Sequence, residues 1–150
     1  MAIENEVPQL EISKRLRDLG YPQEGASFYW INYSFDQFTC SHVSFYLVSA
    51  SELYHLRDEY SFPVDMQIIA APLIGEMLER LPDFVNDCQL NIWKAINIFC
   101  LQYVNAKTKE AYPPLENGAI YSEQGAANSY ALMVEYLVKN NLLKFDGKGK

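Results

Sequence analysis

The stretch ISKRLRDLGYPQEGASFYWINY, residues 12–33, sets the architecture. Ile12, Leu16 and Leu19 recur at i, i+4 and i+7, the spacing that gathers apolar side chains on one stripe of a helix. Lys14, Arg15, Arg17 and Asp18 fall on the other side. Gly20 stands where a left-handed residue closes a helix, and Pro22 prevents continuation. After the turn PQEGA, the segment SFYWINY is dense in aromatic and β-branched residues, which predicts a strand over 27–33. Its alternation puts Phe28 and Trp30 on one face and Tyr29, Ile31 and Tyr33 on the other.

The same pattern returns in IGEMLERLP, residues 74–82, where Ile74, Leu78 and Leu81 fall on Ile12, Leu16 and Leu19 at an offset of 62. Pro82 then falls on Gly20, and at an offset of 63 Trp93 falls on Trp30. Pro72 suits a first helical position, because its missing N–H would have no partner there. Met77 lies beside the stripe, while Glu76 and Glu79 read as a solvated face. HVSFYLV at 42–48 pairs economically with 27–33 as a hairpin, and CQLNIWK at 88–94 with NIFCLQYV at 97–104 as a second pair. Between them, SELYHL predicts a short helical turn capped by Ser51, and QIIAA a brief strand. EAY predicts a third short strand in the second half, and 122–143 the longest helix, with Tyr130, Met133, Val134, Leu137 and Val138 inward. The tail KFDGKGK is expected to be mobile.

These elements predict a single α+β domain over 1–150, an antiparallel sheet with helices on one face. A helix–strand–strand unit is written twice, over 9–70 and 71–121, and the helix at 122–143 closes it. Chance recurrence of amphipathic stripes explains the same pattern without duplication.

Composition narrows the classes of function. Hydrophobic residues make up 49% and charged residues 21%, which excludes wholesale disorder. Net charge is −7, concentrated in residues 21–88, where ten acids face only Arg57 and Arg80. A field of that sign repels phosphate backbones, so no nucleic-acid partner is expected. It accommodates a basic protein partner, and equally a plain solvated surface. The N-terminus lacks a basic n-region, and the longest apolar run, IIAAPLIG at 68–75, is far short of the ~20 residues of a membrane span. A cytoplasmic protein with no membrane partner is the expectation. Cys40, Cys88 and Cys100, an odd count, read as reduced and mostly buried thiols.

Motifs that carry chemistry are sparse. Cys40 and His42 stand two apart, with His55 the only other histidine, so these three are the candidates for a small enzyme's site. Neither paired zinc-ligand spacing nor a GxGxxG, GxxxxGK or GxSxG element is present, so no metal or cofactor is assigned. Aromatics are 14% of the chain. Tyr29, Trp30, Tyr33 and Tyr46 therefore form the candidate binding surface, unless they pack beneath the helices.

LRDLGYPQEGASFYW at 16–30, AAPLIGEMLERLP at 70–82 and AANSYALMVEYLVKNNL at 126–142 resemble, in that order, small proteins encoded by phages and prophage-like elements of gut Bacteroidetes. Residues 106–125 fit that pattern least. The resemblance implies an intracellular, mobile-element origin and carries over no catalytic or binding residue. The sequence thus points to a protein acting through protein contacts, self-association as a homodimer included, with a small enzyme around Cys40, His42 and His55 as the alternative.

Overall fold

A computed structural model describes residues 3–35 and 40–145. It contains four α-helices: α1 (Leu10–Asp18), α2 (Ala50–Glu59), α3 (Ile74–Arg80) and α4 (Ala126–Lys139). The strands are β1 (Phe28–Phe35), β2 (Cys40–Ser49), β3 (Ile68–Ala70), β4 (Phe84–Val85), β5 (Cys88–Ala95), β6 (Ile98–Val104), β7 (Ala111–Tyr112) and β8 (Ile120–Tyr121). The fold is α+β with antiparallel pairing throughout, as the sequence predicts. Its strands divide between two sheets, one ordered β2–β1–β3 and the other β4–β5–β6–β7, with β8 also on β6.

The reason for the division lies in β1. Its N-terminal half uses both edges, pairing Trp30 with Leu47 on β2 and with Ile69 on β3. The β5–β6 ribbon pairs with none of these three strands and builds a second sheet. Each sheet has its own apolar core. The larger joins α1, α3 and α4 to β5 and β6 through Leu16, Met77, Leu101, Tyr103, Met133 and Leu137. The smaller holds Tyr29, Ile31, Val48 and Leu53 between the first sheet and α2.

Hydrogen bonds stitch the two together. The Ser27 amide and hydroxyl both donate to Glu76 Oε1, and the Leu73 amide donates to Glu76 Oε2. Glu76 is thus a clamp between the start of β1 and the start of α3, not part of a solvated face. Trp30 Nε1 donates to the Pro8 carbonyl at 3.3 Å, and the Ala70 amide to Gln23 Oε1 at 3.0 Å. On α4, Arg15 from α1 meets the buried Glu135 through Nε at 3.0 Å and a second guanidinium nitrogen at 3.2 Å, and Lys139 approaches the same carboxylate.

Several local expectations are corrected. Gly20 closes α1 at φ +91° as read, but α3 begins at Ile74 rather than Pro72. In α3, Leu78 is 42% exposed while Met77 is fully buried. The helix has only seven residues and docks through Ile74, Met77 and Leu81, a face rotated from that of α1. Ser49, not Ser51, caps α2, accepting the Glu52 amide at 3.1 Å. The closing helix is Ala126–Lys139 rather than 122–143. Phe145, placed in the mobile tail, packs edge-on against Tyr21 at 5.3 Å. The connector residues 36–39, Asp36 among them, and the tail residues 146–150 lie outside the described residues.

Candidate functional site

The aromatic residues singled out from sequence mostly serve the first sheet. Tyr29 and Tyr33 are buried, and Trp30 and Tyr46 half-buried. Tyr33 donates to Asp65 Oδ1 at 2.6 Å, and that bond, with burial behind it, pushes the phenol up to about 12. Burial likewise raises Tyr46. At neutral pH both are neutral phenols, serving as packing and hydrogen-bonding groups rather than bases.

Cys40 and His42 are exposed on β2, where they pair with Phe35 and Tyr33. The register of β2 shifts between Ile31 and Tyr33, leaving Val43, Ser44 and Phe45 opposite Asn32 alone. This bulge turns Asn32 toward His42, with Nδ2 and Nε2 3.3 Å apart, while Asn32 Oδ1 accepts the Gln67 amide at 2.7 Å. The His42 ring stands edge-on to Tyr33 at 5.4 Å. His55 lies on α2 against the Tyr54 ring. Among the described residues no hydrogen bond, ion pair or ring contact joins His55 to Cys40 or His42, and no cluster of three or more metal-ligating side chains is present. Of the thiols, Cys88 and Cys100 are buried and Cys40 is exposed.

The turn at 22–25 separates two open hollows of about 290 and 360 Å³. The first is walled by Tyr21, Glu24, Glu79 and Arg80, with the Arg80 guanidinium 5.2 Å above the Tyr21 ring. Burial raises the Tyr21 phenol to about 12 against the opposing charge of Arg80. Every buried polar side-chain atom among the described residues has a partner, so no orphaned buried group is aimed into either hollow.

The unusual surface belongs to the β5–β6 hairpin. At its base, Cys88 and Leu90 on β5 and Leu101 and Tyr103 on β6 share the face turned to the larger core. Tyr103 donates to the Pro82 carbonyl at 2.6 Å. Beyond Leu90 the outer strand loses its cover: Asn91, Ile92, Trp93 and Lys94 on β5 are all exposed, while their β6 partners Gln102, Leu101 and Cys100 stay buried. Ile92 pairs across from Leu101 and Lys94 from Phe99 on one face, and Trp93 from Cys100 and Ala95 from Ile98 on the other. At the tip Ile96 is 92% exposed and holds φ +57°, a left-handed conformation that a β-branched residue adopts only under strain.

The outer edge of β5 is open as well. β4 pairs with only Cys88 and Gln89, and the Leu90 amide donates to the Asp83 carbonyl at 3.2 Å. Amides two and four residues on point the same way. Ile92 and Lys94 therefore direct their N–H groups past the end of β4, with no partner strand among the described residues.

The sequence signal for this arm is two adjacent large apolar residues, Ile92 and Trp93, in a strand. They must face opposite ways, so one core cannot cover both. Compared with known proteins, the chain matches no family profile, no curated protein and no solved structure. Among the described residues no helix is long and apolar enough to cross a membrane.

Proposed function

We propose that this chain is a small protein-binding module that engages its partner through the β5–β6 ribbon. The observation that carries this is the exposure of Ile92 and Trp93 along the outer strand of the ribbon and of Ile96 at its tip. Exposed Trp beside aliphatic side chains is the composition of interface centres. Ile96 strengthens the reading, because glycine or asparagine would relieve the strain at that turn without loss of any packing inside the chain. The mobile-element origin implied by the sequence resemblance is compatible with a protein that works by occupying a host or phage protein.

Photo-crosslinking tests it. A benzoylphenylalanine placed at position 93 in the full chain, in extract of the cells that make it, should capture one discrete protein. The same group at the exposed Leu115 should capture none. Substituting Ile96→Gly should weaken capture from position 93. Indistinguishable capture from 93 and 115 removes the proposal.

A further inference from the structure

Resting on the ribbon as the docking arm, we infer that its partner presents an extended acidic segment that adds as a strand to the free edge of β5. Three observations converge. The Ile92 and Lys94 amides are directed outward along the unpaired edge beyond β4, so a strand laid there gains ladder hydrogen bonds over roughly five residues, about 17 Å. Side chains of an added strand meet Ile92 on one face and Trp93 on the other, so apolar groups are covered whichever way it alternates.

Charge selects the occupant. In a chain of net charge −7, the run from Cys88 to Lys109 contains three lysines and no acid, and Lys94 is the only charge on the ribbon itself. A second copy joining edge to edge would bring another Lys94 and no carboxylate to answer it. Lysine on an edge strand is the device that discourages such self-pairing. An acidic strand instead places a carboxylate opposite or diagonal to Lys94. The same lysine beside Trp93 and Ile96 would also attract an anionic lipid surface, but a headgroup layer offers no strand of backbone acceptors to the outward Ile92 and Lys94 amides.

The test uses the full chain and two labelled peptides with one alternating valine–threonine strand pattern, carrying glutamates in one and lysines in the other, read by fluorescence anisotropy. The acidic peptide should bind about three- to tenfold tighter at low salt, the margin shrinking as salt rises. Lys94→Glu should reverse the preference. Ile92→Pro should abolish binding that Ile92→Ala retains, since both lose the side chain and only proline loses the outward N–H. Equal affinity for the two peptides, or binding undisturbed by Ile92→Pro, overturns the inference. So does binding to phosphatidylserine vesicles without either peptide, or a concentration-dependent dimer that Lys94→Glu strengthens. If position 93 still captures its partner in the Ile92→Pro variant, strand addition fails while the ribbon remains the docking arm. If position 93 captures nothing, both fall together.

Discussion

Glu135 shows how one side chain ties the larger core together. Burial alone would raise its carboxyl, but the hydrogen bonds and charges of Arg15 and Lys139 outweigh that and hold it below the ordinary carboxylate range. A folded-state pKa below the unfolded one contributes stability above the unfolded value, near 4.3, and that stability is lost as pH falls through the folded value. Glu135→Gln should therefore cost about 1–2 kcal/mol at neutral pH, discounted because Arg15 and Lys139 are half-exposed, and the difference should vanish in acid. Urea titrations of both proteins across pH would measure it, and an undiminished gap at low pH would contradict the assignment. Ile96 is the opposite kind of residue, one that weakens the fold it belongs to. Ile96→Gly should raise stability by about 1 kcal/mol by releasing the left-handed strain, while weakening partner capture. A variant that is both less stable and fully competent to bind would show that the residue serves the turn.

Between elements, α1 and α3 separate what a shared sequence pattern implies from what packing delivers. Leu16 is buried at the junction of α1 with the larger core, whereas its counterpart Leu78 faces solvent and Met77 takes the inward position. Met77→Ala should cost about 2–5 kcal/mol and Leu78→Ala no more than about 0.5 kcal/mol, measured by chemical denaturation. Equal costs would restore the stripe read from sequence. The difference is legible once helix length is known. Nine residues in α1 carry a stripe over more than two turns, while seven in α3, held at the N-terminus by Glu76, are turned by Leu81 and Met77 into the larger core against α4. Trp30 and Trp93 diverge for a similar reason. One lies on a strand paired on both sides, and the other on a strand paired there with β6 alone, because β4 does not reach it.

Across the molecule, two cores of unequal size share one chain. Among the described residues fifteen buried side chains form the larger and six the smaller, so the first sheet with α2 has less apolar burial to resist opening. Amides of β2 and α2 should therefore exchange with solvent faster than those of β6 and α4 under native conditions, by hydrogen exchange read with mass spectrometry. Uniform protection would mean that Glu76 and its neighbours couple the cores into one unit.

Helix stripes, aromatic strands, the Gly20 stop and the acidic balance follow from local spacing and composition, so the α+β class and the order of its longer elements were set by the sequence alone, while the two-residue strands β4 and β8 were not. Which stripe residue turns inward, whether the strands share one sheet, and where the aromatics end up depend on contacts between residues far apart in the chain. Tyr29, Tyr33 and Trp30 looked like a binding surface because rings at alternating positions do not reveal which face another element covers. The exposed ribbon emerged only in three dimensions, because β4 is two residues long and leaves the outer edge of β5 at Ile92 and Trp93 without a second strand.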